Sequence, residues 1–215
     1  MLRKVSLIVV IIAGLASPVL AQSRVEVGGF VGWVISDGVP ISTTAVNGVT
    51  YTRADPKDAQ SFGLTFGVYV TPQVEVEFLW SRQMSALEVT GSGAMLSGDM
   101  TVDNYHGNFV YNFGESDMKV RPFVFGGLGA TSYGAAKFPN KTLTSDTQFS
   151  WAVGGGIKAF MSEHVGFKGM VRWTPTYIKT VGAGWWCDPW FGCYPAGTPY
   201  YANQFEFSGG IVARF

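Results

Sequence analysis

The sequence predicts an all-β fold, namely an eight-stranded antiparallel up-and-down transmembrane β-barrel. Two observations predict it. Apolar and polar residues alternate along segments of about ten residues, and short connections between these segments alternate with long ones. The composition agrees, because 47% of the 215 residues are hydrophobic and only 14% are charged, whereas soluble domains average about 25% charged residues.

The N-terminus has the pattern of a secretory signal peptide. Two basic residues precede an apolar run that ends at Ala16, and Val19 and Ala21 supply the small residues of a cleavage site. The run is shorter than the roughly 20 apolar residues that a membrane-spanning helix needs. We therefore expect residues 1–21 to be removed and residues 22–215 to form one barrel domain.

Eight segments of the expected mature chain alternate with period two, so that every second side chain shares a face of a strand. The clearest contrast is in the third segment, where Phe78 and Trp80 alternate with Glu75 and Glu77. The fifth segment is the least clear, because both its faces carry Phe, Val and Gly. The predicted strands are at about 24–35, 61–70, 74–81, 101–113, 120–134, 147–160, 165–178 and 205–215.

The connections between these segments place the two ends of the barrel. The tight connections are 71–73, 114–118 and 161–164, and the long ones are 36–60, 90–100, 135–146 and 179–203. In the mature chain only Pro122 and Pro175 touch predicted strands, and both lie near strand ends, as expected for a residue that cannot donate to the ladder. An even number of strands puts both termini on the short-turn side.

Two stretches of the chain resemble a known family. These are the alternating C-terminal strand 205–215 and the Arg121–Gly129 stretch after the middle turn. They are similar to the small OmpA-like or OmpX-like outer-membrane β-barrel proteins of Gram-negative bacteria, and the resemblance covers Ser23 to Phe215. It implies an integral outer-membrane protein surrounded by lipid and lipopolysaccharide. It also implies that the barrel assembly machinery reads the C-terminal strand through Phe205, Phe207 and Phe215.

Charged residues of the predicted strands share the face opposite the apolar one. Unpaired, such charges would cost several kcal/mol each in a narrow lumen, but acids and bases that are interleaved can pair. We expect a salt-bridged plug, because an eight-stranded barrel is just wide enough for side chains; a gated conductance through the pairs is the alternative. The lumen residues are Arg24, Glu26, Glu75, Glu77, Lys158, Lys168, Arg172, Glu206 and Arg214.

Aromatic residues near the strand ends are expected to form girdles at the two membrane interfaces. The predicted girdle residues are Trp33, Tyr69, Trp80, Tyr105, Tyr111, Phe113, Phe149, Trp151, Phe167 and Trp173.

The last long loop contains both cysteines of the chain. An even pair in an exported protein predicts a disulfide between Cys187 and Cys193. The aromatic residues around this pair have two interpretations: they extend the girdle into the outer leaflet, or they form an exposed patch that binds an unidentified surface ligand. The candidate surface patch consists of Trp185, Trp186, Trp190, Phe191 and Tyr194.

Several function classes are not expected from this sequence. Lys plus Arg and Asp plus Glu number 15 each, which leaves no basic excess for a nucleic-acid partner. No phosphate-binding glycine motif is present, and we expect no cofactor. His106 and His164 have no His or Cys at metal-ligand spacing, and no His lies in a long loop, where surface catalysis would need one. We therefore expect neither a metal site nor an enzyme.

Three functions remain for an exported barrel. The first is a structural or surface-interacting, adhesin-like role carried by long extracellular loops. The second is a small porin that conducts ions or small solutes, or that binds an apolar ligand through the wall. The third is a soluble lipocalin-like carrier, which the segregation of charges on one strand face disfavours.

Overall fold

The computed structural model of this protein shows a closed barrel of antiparallel strands. Its described residues are 25–46, 49–91, 95–115, 118–135, 137–138, 141–142, 145–178, 184–188, 192–196 and 200–215. The predicted signal peptide and Arg24 lie outside these residues. Within the described ranges, no helix has the length and apolar character needed to cross a membrane.

Eight long strands, numbered here in chain order, make up the barrel. They are β1 Val25–Ser36, β2 Ala59–Tyr69, β3 Val74–Gly91, β4 Met95–Asn112, β5 Val120–Tyr133, β6 Asp146–Phe160, β7 Val165–Ile178 and β8 Tyr200–Arg214. Each strand pairs antiparallel with the next, and β1 also pairs with β8. Because this last pairing joins the two ends of the sheet, the barrel closes and the predicted fold is confirmed.

The two faces of the strands differ sharply in exposure. On β4, the outward side chain of Phe109 is 70% exposed, whereas its neighbours Asn108 and Val110 are each 1% exposed. The same alternation on the other strands gives the barrel an apolar outer wall and a lumen rich in charged and amide side chains. A soluble sheet buries its apolar face and exposes its polar one, so this arrangement contradicts the lipocalin-like alternative.

The strands β3 and β4 extend much further than the sequence predicts. They pair continuously from Val74 with Tyr111 to Thr90 with Met95. The prediction of a long loop over 90–100 is therefore wrong. Small and polar residues such as Ser97 interrupt the apolar alternation in this part of the hairpin, which is held by backbone pairing and by a small buried cluster of Met100 and Val102 with Leu87.

The long connections contain short strands of their own. The first outer hairpin consists of Val39–Val46 and Val49–Pro56, and its second strand pairs with the end of β3. The second outer hairpin consists of Gly184–Asp188 and Gly192–Ala196. Through the first of these hairpins the barrel sheet continues at the long-loop end, whereas the second forms a separate two-stranded sheet.

The tight connections lie at the opposite end. The backbone N–H of Val70 donates to the carbonyl of Val74 at 2.9 Å, and that of Met161 donates to the carbonyl of Val165 at 3.0 Å. In the connection between β4 and β5, Gly114 has a φ of 81°, which is the left-handed region that glycine adopts without a steric penalty.

The wall between β6 and β7 has a break in its hydrogen-bond ladder near the long-loop end. Ser150 pairs with Thr176, and the next paired residues are Val153 and Trp173. Pro175 lies in the gap and has no N–H to donate. The proline therefore weakens the contact between these two strands.

Candidate functional site

The lumen is the candidate functional site, because the charged side chains of the spanning strands converge there. At its short-turn end, the Nζ atom of Lys158 on β6 lies 2.5 Å from Oε1 of Glu26 on β1 and 2.7 Å from Oε2 of Glu75 on β3. All three side chains are at most 1% exposed. One ammonium group therefore connects three strands across the lumen.

Tyr69 and Arg214 complete this group. The hydroxyl of Tyr69 donates to Oε2 of Glu26 at 2.8 Å, and Nε of Arg214 lies 4.0 Å from the same oxygen. The prediction that Tyr69 belongs to the outer girdle is therefore wrong, because its hydroxyl completes a buried charge network. We call Glu26, Tyr69, Glu75, Lys158 and Arg214 the lower network.

The ring of Phe123 contacts both the lower network and the next ion pair. Lys168 on β7 pairs with Glu77 on β3 and lies opposite Lys158 in the register of β6 and β7. The centroid of the Phe123 ring is 5.5 Å from Nζ of Lys158 and 5.2 Å from Nζ of Lys168. Ammonium groups at this distance are attracted to a ring face. Further apolar side chains pack against this ring, among them Leu79, Val110, Phe125 and Met170.

A third ion pair lies above the apolar layer. Arg172 on β7 bonds to Glu206 on β8 and donates from Nη2 to Oγ of Ser81 at 2.7 Å. The hydroxyl of Ser61 donates to the second oxygen of Glu206 at 2.5 Å. Both carboxylate oxygens of Glu206 are therefore occupied.

The long-loop half of the lumen holds neutral polar groups. Nδ2 of Asn104 donates to Oε1 of Gln204 at 3.3 Å, and Nε2 of Gln204 donates to Oε1 of Gln83 at 3.1 Å. The hydroxyl of Thr131 is 2.7 Å from Oδ1 of Asn104 and 2.9 Å from Oγ of Ser150. We call the connected side chains the upper network, namely Gln83, Asn104, His106, Thr131, Ser150, Thr176 and Gln204.

The structure places eight of the nine predicted lumen charges inside the barrel, and Arg24 lies outside the described residues. The set predicted from the sequence lacks Arg121, which is fully buried and donates from Nη2 to the carbonyl of Pro72 at 2.7 Å. It also lacks the neutral upper network. Strict parity along each strand would have found these residues, because they alternate with outward apolar ones.

The second outer hairpin brings the two cysteines opposite each other. Cys187 pairs with Cys193 in the backbone register, and Trp186 pairs with Tyr194. Directly opposed residues of an antiparallel pair have a Cα separation within the range that a disulfide spans. Trp190 and Phe191 of the candidate patch lie outside the described residues.

Outward aromatic side chains cluster on the wall formed by β6, β7 and β8. The ring centroids of Trp151 and Trp173 are 5.0 Å apart, and Trp173 stacks on Phe205 at 6.1 Å. Phe207 and Phe215 on the last strand also face outward and are at least half exposed. These residues present an apolar surface to whatever surrounds the barrel.

A family model decides what kind of barrel this is. The outer membrane protein beta-barrel domain matches residues 7–212. The chain belongs to this family. It is therefore an integral protein of the outer membrane, and its apolar wall faces lipid. A search of curated protein sequences finds no significant match.

Several solved structures share the fold of this outer membrane β-barrel. OprG from Pseudomonas aeruginosa has a TM-score of 0.66 at 15% identity, covering 90% of this chain and 96% of OprG. Neisserial surface protein A has a TM-score of 0.54 at 13% identity, covering 90% and 97%. The N-terminal barrel domain of Pseudomonas aeruginosa OprF has a TM-score of 0.51 at 14% identity, covering 89% and 97%.

Proposed function

We propose that this outer membrane β-barrel has a lumen closed to solutes and that it acts at the cell surface, in a structural or adhesin-like role. The observation that carries this proposal is the lower network, in which Lys158 joins Glu26 and Glu75 across the lumen. An enzyme is not part of the proposal, because the polar groups of the lumen are buried away from any substrate.

Side chains fill the lumen at several levels along the barrel axis and not only at the lower network. Passage of an ion would have to separate the lower network, the Lys168–Glu77 pair and the Arg172–Glu206 pair, which lie on either side of an apolar layer. Separating one buried pair without a replacement costs roughly 3–5 kcal/mol. Several such steps in series support a closed lumen.

The part of the protein beyond the membrane supports a role at the surface. The strands β3 and β4 have 18 residues each, whereas about ten tilted residues cross a bilayer. Their excess length projects on the long-loop side, where the first outer hairpin extends the same sheet. Loops held by a rigid scaffold are the usual carriers of recognition.

The second outer hairpin is our candidate for the contact with a surface ligand. The register of Cys187 and Cys193 supports a disulfide that fixes the hairpin tip. Aromatic residues dominate binding hot spots, which supports the surrounding patch as a binding surface. We expect further contacts with lipopolysaccharide along the outer wall and with the barrel assembly machinery at β8.

Single-channel recording in planar bilayers tests the closed lumen. The purified protein should produce no steps above the baseline of empty bilayers at neutral pH. The double variant Glu77→Ala with Lys168→Ala removes one pair without leaving a charge alone, and it should still be closed because the lower network remains. Frequent conducting steps from the unaltered protein would instead favour a small porin.

A second candidate function is the binding of an apolar ligand at the wall. The break in the ladder at Pro175 and the adjacent Trp151–Trp173 pair favour it, since both lie on the same lipid-facing part of β6 and β7. Quenching of tryptophan fluorescence by an alkane-chain probe in detergent measures such binding. Quenching that is equal in the parent and in a Trp151→Phe variant would remove this candidate.

A further inference from the structure

His106 is the titratable side chain of the upper network, and it takes no part in the ion pairs described above. It is fully buried on β4, with Nε2 at 3.0 Å from Oγ of Ser150 on β6. Its Nδ1 atom has no hydrogen-bond partner in the described part of the chain. On β5, Gly129 makes room for it, because a Cβ atom there would lie 2.8 Å from Cδ2 of His106. A larger residue than glycine at position 129 would therefore collide with the imidazole ring.

The surroundings of His106 suit a neutral ring. Arg172 on β7 is the charged side chain that acts electrostatically on the imidazole among the described residues. The carboxylate nearest to that arginine, Glu206 on β8, is already bonded to Arg172 and Ser61. The neighbouring strands β3, β5 and β6 contribute Leu79, Gly129 and Ser150. A positive charge on His106 would therefore have no counter-charge.

We propose that His106 is an acid sensor in the plug, and that its protonation separates the upper network and opens the outer half of the lumen to ions. This inference rests on the proposed closed lumen. It goes beyond that proposal because it names the side chain whose protonation opens the outer half of the lumen.

The chemistry of the ring explains why protonation would act on the whole network. A neutral imidazole can accept the hydroxyl hydrogen of Ser150, but an imidazolium ion has two N–H donors and no acceptor. The Ser150 hydroxyl must then turn, which disturbs its contact with Thr131, and through Thr131 the contacts to Asn104 and Thr176. Water and anions entering from the long-loop end would stabilise the new charge.

Labelling of a Thr174→Cys reporter over a range from about pH 8 to about pH 3 tests the proposal, since this range covers the ordinary titration of imidazole and carboxyl groups. Thr174 is buried in the lumen beside Gln204 and is not itself one of the upper network residues. The protein is held in detergent with Cys187 and Cys193 changed to Ser, and the probe is a dipyridyl disulfide, which also reacts with thiols in acid. Relative to an exposed Glu115→Cys reporter at the same pH, the labelling rate should be low near neutrality and should rise by at least about tenfold in acid. His106→Gln can still bond to Ser150 but cannot be charged, so it should lose this rise. His164→Gln is the matched control, because His164 lies exposed in the turn between β6 and β7, and it should behave like the parent.

The possible outcomes separate this inference from the proposed function. A reporter that stays unlabelled over the whole range, or a His106→Gln variant whose labelling rises in acid as it does in the parent, would overturn the acid sensor. Conduction by the unaltered protein at neutral pH in planar bilayers would overturn the closed lumen, and the labelling comparison with His106→Gln would still decide whether acid acts through this residue. Compact migration of each unboiled variant on a denaturing gel checks folding, and His106→Asn replaces the Gln variant if it fails this check.

Discussion

At the scale of single residues, the lumen shows that equal charges do not have equal roles. Glu75 shares Lys158 with Glu26, so the ammonium group keeps one carboxylate if the other is lost. Glu77 is the ion-pair partner of Lys168. Loss of Glu77 therefore leaves Lys168 without an ion pair, although the ring of Phe123 and the carboxylate of Glu75 still attract its charge.

Glu77→Gln should consequently lower the free energy of unfolding by about 3 kcal/mol, because an unpaired buried charge is costly, and Glu75→Gln should lower it by less. Urea titration of the protein in lipid vesicles, followed by tryptophan fluorescence, measures both values. Glu115→Gln is the control, since Glu115 is exposed in the turn between β4 and β5. Unfolding curves for both lumen variants that coincide with the parent's would contradict the buried pairs.

The alternation of residues along the strands predicts most of the charged side chains of the lumen. It does not identify a lumen residue whose type suggests another role or whose strand has two similar faces. The aromatic character of Tyr69 predicts a place in the girdle. Its position in the alternation predicts the lumen instead, because Phe66 and Val70, which have the opposite parity, face outward. Arg121 was missed because it begins the strand whose two faces are hardest to tell apart. Parity alone places His106 in the lumen, but its role depends on Ser150 and Arg172, which lie on other strands and are not connected to it by any pattern in the sequence.

At the scale of elements, β8 closes the barrel and carries the outward residues Phe205 and Phe207, and the outward Phe215 follows directly after it. Deletion of Phe215 should strongly reduce the amount of folded protein in the outer membrane, because the family resemblance assigns recognition to this end. The measurement is the fraction of compact protein on an unboiled gel of the membrane fraction.

Phe113→Ala is the control for this deletion, since Phe113 is an exposed aromatic residue at the same end of the barrel but outside β8. We expect it to assemble like the parent. A deletion variant that assembles at the parental level would show that Phe215 has no part in recognition.

The second outer hairpin gives another prediction at this scale. Trp190→Ala with Phe191→Ala should abolish binding of the protein to host or neighbouring cells and leave the urea midpoint unchanged. Reduction of the proposed Cys187–Cys193 disulfide should weaken the same binding by loosening the hairpin. Unchanged binding together with a lower urea midpoint would show instead that these aromatic residues belong to the girdle.

The strands that the sequence does not predict lie beyond the membrane, where backbone pairing continues without an alternation of apolar and polar residues. Inside the membrane, lipid on one side and the lumen on the other impose a period of two, and β1, β2 and β8 are recognised from it. Beyond the membrane, no lipid requires an apolar outer face, so the alternation of apolar and polar residue types fades along the β3–β4 extension although the backbone ladder continues to Thr90 and Met95. The first outer hairpin was missed for the same reason.

At the scale of the whole molecule, the sequence predicts that a signal peptide and the barrel are made as one chain and then separated. We expect the exported protein to begin at Gln22, because Val19 and Ala21 provide the small residues of the cleavage site. Intact-mass measurement of protein purified from the outer membrane decides this. A mass that includes Met1 would mean that the N-terminal segment is retained.

Because the barrel closes between its first and last strands, the chain has unpaired strand edges until folding is complete. The first strand finds its second partner only in the last one, so β1 cannot complete its ladder until β8 is available. Until then both strands have open edges, which in water invite pairing with other chains. The finished barrel joins these two edges to each other, whereas every unfinished form of it leaves both open, so the risk of pairing with other chains ends only when β8 reaches β1.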